Sequence, residues 1–315
     1  MRAIVTGANG QDGRLITELL LENGFEVLKL VQPSKMVSVE MEVGIDICDR
    51  DSVDELIKAY IPDHVYHLAA RHTSSDENIG SENEAEMLRT NFISTEVLLR
   101  AISRHSPLAK FIYAGSSQMY SKQKGLRTTI DETTLETPTT FYGHTKKWSR
   151  ELISHYKITR SLHASTGILF NHESIFRREA FLTRKISIAV AKASQGHKTP
   201  LLIQNDLAEA DWSDARDVVA GMHLALMAHE PSDFVFASGR SVSVRELVSY
   251  AYSLAELNWK DYVSVGDSRF DGALVGDSSR ANAQLKWHAS KNIYQVIEEM
   301  IKNDVMRQRA LPESS

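Results

Sequence analysis

The chain has 315 residues, 42% hydrophobic and 24% charged, an ordinary globular composition long enough to bury a large core and build two lobes. A net charge of -5, a pI near 6.2 and the lack of any lysine or arginine run exclude the electrostatic footprint of a nucleic-acid or membrane-surface protein. Cys48 is the only cysteine, which excludes a disulfide within the chain, and the lack of a leader pattern or spanning segment makes a cytoplasmic location the expectation.

In chain order, the apolar run Ala3–Val5 predicts a strand that feeds directly into three glycines spaced by three, Gly7, Gly10 and Gly13, followed by an amphipathic helix over Arg14–Asn23. That order suits a phosphate loop. Gly7 permits the tight turn, Gly10 lets backbone approach a pyrophosphate, and Gly13 lets the helix pack on the strand with its N–H groups aimed at the anion. Further strands are expected at Glu26–Val31, Val65–Ala69, Lys110–Ala114 and Ala164–Phe170, and helices near Ser52–Tyr60, Glu84–Ser103 and Tyr142–Lys157. This alternation predicts an α/β fold with a doubly wound parallel sheet of Rossmann type, whose strand ends Thr6–Gly13, Leu68–His72, Gly115–Gln118 and Phe170–Ser174 converge on one crevice.

Beyond Asn171 the rhythm changes. An arginine-containing stretch at Ser174–Glu179, a helix at Phe181–Ala193 and short strands at Pro200–Ile203 and Asp233–Ala237 predict a smaller C-terminal substrate-binding lobe. The expected division is a dinucleotide-binding domain over 1–170, with part of 205–230 returning to it, and a substrate-binding lobe over 171–310. Ile293, Val296, Ile297, Met300 and Ile301 repeat at helical spacing and read as the core face of a terminal helix, after which Leu311–Ser315 is expected to be disordered. No internal repeat or long linker is evident.

Tyr142 and Lys146, four residues apart, share one helix face. An ammonium beside a phenol favours phenolate, so a tyrosine with an ordinary pKa of about 10 becomes usable near neutrality. Other clusters read structurally. His64 and His67 lie on or beside a buried strand with no partners at ligand spacing, so no metal site is expected; His144 points off the Tyr142 face; no Gly-x-Ser-x-Gly elbow surrounds Ser116 or Ser117. The hydroxyl-rich stretch Thr128–Thr140 is expected to be a loop bordering the crevice, with the option of covering it.

Taken together, Thr6-Gly-x-x-Gly-x-x-Gly13, Asp46-Ile47, Leu68-Ala-Ala70, Gly115-Ser-Ser117 and Tyr142-x-x-x-Lys146 resemble the extended short-chain dehydrogenase/reductase superfamily of nucleotide-sugar enzymes. Gly10-Gln-Asp-Gly13, Gly167-Ile-Leu-Phe-Asn-His-Glu-Ser174, Phe181-x-Thr-Arg-Lys-Ile186 and Asp211-Trp212 are similar to the GDP-mannose 4,6-dehydratases in particular, as are Pro231–Ala237 and Ser243–Arg245. The resemblance implies a nicotinamide cofactor held by Gly7, Asn9, Gly10, Gln11, Asp12, Gly13, Asp46, Ile47, Leu68, Ala69 and Ala70. Tyr142 would take the sugar 4-hydroxyl proton, Lys146 would bind the nicotinamide ribose and depress the Tyr142 pKa, and Ser116 would orient the same sugar oxygen. Ser117, Asn171, Arg184 and Lys185 would line the nucleotide-sugar site. A homodimer through the Glu84–Ser103 and Tyr142–Lys157 helices, or a homotetramer of such dimers, is implied as well.

Two departures stand out. The dehydratases carry Thr-Ser-Glu at the strand end, the glutamate removing the C5 proton, whereas this chain has Ser116-Ser-Gln118, and a carboxamide is no base near neutrality. Glu173 or a residue of Ser74–Glu86 is offered as a substitute. Arginines expected at the diphosphate are also missing, from Glu209-Ala-Asp-Trp212 and from Asp267–Ala273, with Arg216, Arg269 and Arg280 as candidates to compensate. The second strand ends in Leu30-Val-Gln-Pro-Ser-Lys35 without an acidic residue, so the cofactor is NADP or NAD with a lean to NADP through Lys29 and Lys35. The readings are a GDP-mannose 4,6-dehydratase relative with an atypical base; a 4-keto reductase, 4-dehydrogenase or epimerase acting on a nucleotide sugar; and, remotely, a non-catalytic nucleotide-binding protein.

Overall fold

The structure, a computed structural model, describes residues 1–35, 41–72, 81–198 and 200–310. The tail Leu311–Ser315 and the part of Ser74–Glu86 through residue 80 lie outside the described residues. Chain order begins β1 (Arg2–Thr6), α1 (Gln11–Glu22), β2 (Glu26–Val31), β3 (Glu42–Gly44), α2 (Arg50–Tyr60), β4 (His64–His67), α3 (Ser81–Leu88), a π-turn (Arg89–Ile93), α4 (Ser94–His105) and β5 (Lys110–Ala114). It continues β6 (Arg127–Ile130), α5 (Phe141–Arg160), β7 (Ala164–Leu169), β8 (Asn171–Glu173), α6 (Leu182–Ala193), β9 (Leu201–Ile203), β10 (Glu209–Asp214), α7 (Ala215–Met227) and β11 (Phe234–Phe236). Last come β12 (Ser241–Ser243), α8 (Val244–Ser253), β13 (Val263–Val265), β14 (Ala273–Gly276), α9 (Ser279–Leu285) and α10 (Ile293–Ala310).

Seven parallel strands form the main sheet in the order β11-β7-β5-β4-β1-β2-β3. The order reverses between β1 and β4, and a crevice opens there above the carboxyl ends of the strands. Helices cover both faces. Leu15, Ile16 and Leu20 of α1 pack with Val218 and Met222 of α7 on one side, while Val53 and Ile57 of α2 and Val97, Leu98 and Ile102 of α4 pack on the other. Burial on both faces is why β2, β5 and β7 read as near-continuous apolar runs. Each such side chain contributes about 1.5–3 kcal/mol when fully buried.

A second core joins α6, α8 and α10 around Ile186, Val190, Leu247, Tyr252, Ile297 and Met300. Three small sheets, β12-β10-β8, β13-β9 and β14-β6, sit beside the main one. Between the cores, Met119, Ile130, Ile168, Phe170 and Val235 form a small cluster that seats the turn following β5. Among the described residues no helix is long and apolar enough to cross a membrane.

Three elements differ from expectation, the simplest being β11, expected in the C-terminal lobe but found as the edge strand of the main sheet beside β7. The helix expected over Glu84–Ser103 is interrupted by the π-turn, where fully buried Asn91 turns its main-chain oxygen to the hydroxyls of Tyr113 (3.1 Å), Thr95 (3.0 Å) and Ser149 (2.7 Å). Three donors from outside the turn favour the widened ring over the ordinary ladder. The stretch Thr128–Thr140 begins as strand β6 against β14, and the rest is tied down: Glu132 accepts the Val235 N–H (2.8 Å) and Glu136 pairs with Arg150 (2.7 Å). The stretch is thus fastened to β14, β11 and α5, and ends at Thr140, the residue that caps α5.

Candidate active site

The glycine loop is set by close approach. Gly7 has φ +69°, and a Cβ there would lie 2.8 Å from the Ala69 nitrogen; a Cβ on Gly13 would lie 2.3 Å from the Gly7 oxygen. Thr6 Oγ1 accepts the N–H groups of Leu68 (3.2 Å) and Ala69 (3.1 Å), which locks the ends of β1 and β4 together. The loop leaves the first N–H groups of α1 without a side-chain cap at Gly10, the kind of helix N-terminus that suits a pyrophosphate. Gln11 donates to the His172 oxygen (2.9 Å) and accepts from Ser174 (2.9 Å), joining the loop to β8. His172 donates through Nδ1 to the Phe170 oxygen (2.6 Å) and through Nε2 to Asp12 (3.0 Å). Burial works against both charges, yet the pairing wins: the Asp12 carboxyl is held below its ordinary range and the His172 imidazole above its own.

Tyr142 enters from the first turn of α5. Thr140 caps that helix, accepting the Gly143 N–H (3.0 Å), and Gly143 is needed because a Cβ would lie 2.2 Å from the Gln118 oxygen. The helix therefore abuts the Ser116–Gln118 turn and brings Tyr142 to Ser116. Ser116 Oγ accepts the Gln118 N–H (3.1 Å), so its own proton is directed to the Tyr142 hydroxyl. Burial pushes the Tyr142 phenol up to about 12, opposed by that hydrogen bond and by the Arg177 charge. Lys146 is buried on the same helix face, donating to the Ala114 oxygen (2.8 Å), with its nitrogen 4.6 Å from the Tyr113 ring centre and 5.5 Å from that of Tyr142.

Burial pulls Lys146 down to about 7, against the pull of Asp12. The unfolded chain keeps that proton to about 10.5, so from about 7 upward the unfolded state holds more protons and stability rises with pH; below about 7 the full cost of the buried ammonium is present. Lys146→Met is expected to raise the Tm of the cofactor-free protein below neutrality and flatten this pH slope, while abolishing turnover. Thermal unfolding on both sides of neutrality checks it; an unchanged slope refutes it.

Gln118 is held at both ends of its amide. Its oxygen accepts from Thr140 (3.3 Å) and its nitrogen donates to Nε2 of His72 (3.0 Å). His72 stands edge-on to Tyr142, ring centres 4.6 Å apart, and stacks on Phe181 at 5.5 Å. The backbone before it is clamped, because Asn91 accepts the Arg71 N–H (2.7 Å) and donates to the Arg71 oxygen (3.1 Å). Sequence reading placed Leu68–His72 at the crevice without giving this histidine a task. The signal was a titratable side chain two residues beyond Leu68-Ala-Ala70.

Other residues are placed as follows. Asn9, Gly10 and Ala70 are exposed at the crevice, while Leu68 and Ala69 are half-buried. Asp46 accepts the Cys48 N–H (2.9 Å) and pairs with Arg89 (2.9 Å), and Ile47 packs against the α2/α4 core. Asn171 is exposed on β8, and Ser117 and Lys185 are half-buried. Arg184 is buried at 2% exposure, with its guanidinium bound to Asp304 of α10 (2.6 Å). Glu173, offered as a base, is buried against Thr183 (2.6 Å) and Arg177 (3.1 Å). Arg216, Arg269 and Arg280 each face carboxylates: Asp214 and Glu299, Asp267 and Asp271, and Glu132 respectively. Lys29 faces Glu42 (3.9 Å).

A family model described as GDP-mannose 4,6 dehydratase matches residues 4–300. GDP-mannose 4,6 dehydratase 1 of Arabidopsis thaliana is 32% identical over 96% of this chain and 89% of its own length, and the Homo sapiens GDP-mannose 4,6 dehydratase is 30% identical over 98% and 93%. Among solved structures, RMD from Pseudomonas aeruginosa complexed with NADPH aligns with a TM-score of 0.83 at 21% identity, over 97% of this chain and 98% of that one. The dTDP-glucose 4,6-dehydratase of Bacillus anthracis in complex with NAD aligns at 0.82 and 17% identity, over 98% of each chain. These two share the fold.

Proposed function

Because the chain belongs to the GDP-mannose 4,6-dehydratase family, we propose that it is an enzyme that removes water from GDP-mannose, working through C4 of the hexose. The observation that carries this reading is the convergence of Ser116, Tyr142 and Lys146 beside the Gly7–Gly13 cradle. A bound nicotinamide dinucleotide supplies the hydride acceptor. Gly7, Gly10 and Gly13 hold its pyrophosphate, Asp46 and Ile47 its adenine, and Lys146 its nicotinamide ribose. Tyr142 takes the proton of the 4-hydroxyl, and Ser116 orients that oxygen by the hydrogen bond it now gives the phenol. Ser117, Asn171 and Lys185 line the sugar-nucleotide side, with 171–310 as the substrate lobe on a 1–170 dinucleotide domain to which part of 205–230 returns. NADP is preferred over NAD, since no carboxylate at 32–34 repels a 2′-phosphate. A homodimer forms across α5, where half-exposed Trp148 gathers Phe92, Phe141 and His144.

A second reading, a reductase or epimerase acting on 4-keto nucleotide sugars, is favoured by one observation, the neutral amide of Gln118 beside Tyr142's helix. The two separate on incubation with GDP-mannose and either cofactor, following product mass and cofactor absorbance together. Loss of one water without net cofactor reduction is the expected outcome. No water loss, with reduction of a 4-keto nucleotide sugar by reduced cofactor, would replace the first reading by the second.

A further inference from the structure

The elimination of water needs a group to take the C5 proton, and at position 118 the chain has an amide where the family's base is a carboxylate. We propose that His72 is that base, an assignment that rests on the dehydratase reading above. Three observations converge on it. First, the ring is placed at the reacting end of the sugar: it meets Tyr142 edge-on at 4.6 Å and Gln118 at 3.0 Å, so it lies between the residue that handles the C4 oxygen and the residue at the position of the missing carboxylate. C5 is the carbon next to C4.

Second, the bonding around Gln118 selects the basic form. Thr140 Oγ1 accepts the Gly143 N–H (3.0 Å) and donates its own proton to the Gln118 oxygen (3.3 Å). That turns the Gln118 amino group, a donor without a lone pair to share, toward His72 Nε2. In that arrangement Nε2 accepts and the ring proton sits on Nδ1, a neutral imidazole whose Nε2 lone pair is held by the Gln118 amide. Glutamine at 118 is thus a partner for a histidine base. A neutral hydrogen bond of this kind contributes little net free energy and yields when the sugar enters.

Third, the histidine is held by machinery. The π-turn exists around Asn91, whose side chain grips both polar atoms of the Arg71 backbone, and Phe181 backs the ring at 5.5 Å. π-turns of this sort recur at functional sites. In the step itself the C5–H bond breaks, its proton passes to Nε2, and its electron pair forms the C5–C6 double bond. The C6–O bond breaks, and the hydroxide departs as water with the proton returned by the imidazolium, so the ring ends neutral.

The test isolates this proton from the hydride. The cofactor-loaded protein is placed in D2O with GDP-4-keto-6-deoxymannose, whose C5 proton is acidified by the ketone, and deuterium entering C5 is followed by NMR while calorimetry scores binding. Wild type is expected to exchange, and His72→Asn, which keeps an acceptor for Gln118 but no base, to exchange roughly 10²–10⁴-fold more slowly with binding retained. Adding Gln118→Glu to His72→Asn is expected to restore exchange, which a misfolded variant would not do. Exchange by His72→Asn within a few-fold of wild type overturns the assignment, as does a wild type that binds the ligand without exchange. A ligand that fails to bind overturns the GDP-mannose reading and this assignment with it, whereas water loss from GDP-mannose scores that reading separately.

Discussion

Tyr142→Phe is expected to lower the rate of C4 oxidation by roughly 10²–10⁴-fold, with cofactor and substrate binding kept within a few-fold. Phenylalanine retains the ring that packs edge-on against His72 and lies 5.5 Å from the Lys146 nitrogen, so only the acid/base oxygen is lost. The size of the effect follows from the starting point. In the cofactor-free site burial pushes the phenol up to about 12, and the groups that pull it back are the Ser116 hydroxyl and the Arg177 charge. Lys146, drawn down to about 7 by burial, supplies only part of a charge at neutrality. A cationic nicotinamide ring and ribose hydroxyls bound beside it would favour the ammonium and then the phenolate. Stopped-flow absorbance of the cofactor with GDP-mannose reads the first hydride step directly, and calorimetry reads binding. A Tyr142→Phe variant that oxidises C4 at about a tenth of the wild-type rate or faster would remove Tyr142 from the chemistry.

What the sequence made legible was whatever depends on local pattern. β2 and β5 fall on the residues their apolar runs predict, because strands covered on both faces need no help from context to be recognised. The glycine spacing after β1 and the Tyr142/Lys146 interval are likewise local. What escaped depends on partners far along the chain. The π-turn at Arg89–Ile93 is made by hydroxyls on β5, α4 and α5, none of which is visible from its own five residues. Arg127-Thr-Thr-Ile130 has no strand-like alternation and becomes β6 by pairing with β14. His72 acquired meaning only when Gln118 and Tyr142 were brought to it. The burial of Arg184 escaped for the same reason, since a basic residue on an amphipathic helix looks solvent-facing until its carboxylate partner is found on α10.

That partner carries the largest expected effect on stability. Asp304→Ala is expected to cost about 3–5 kcal/mol in urea unfolding, because it leaves a buried guanidinium without its counter-charge. Arg184 and Asp304 are both at 3% side-chain exposure and 2.6 Å apart, and Ser187 donates to the same carboxylate at 2.7 Å, so the group links two turns of α6 to α10. Replacing both partners together, Arg184→Met with Asp304→Leu, is expected to recover most of the loss, since apolar residues of similar volume satisfy that space without desolvating charge. The same pair of variants decides what Arg184 does. A guanidinium that binds substrate would raise KM in the double variant with stability unchanged, whereas one that fastens α6 leaves KM alone once folding is restored. The second outcome is expected, and it bears on catalysis indirectly: α6 begins one residue after Phe181, the ring on which His72 stacks. Loosening α6 in Asp304→Ala should therefore slow turnover even below the unfolding transition, and the apolar pair should restore both together.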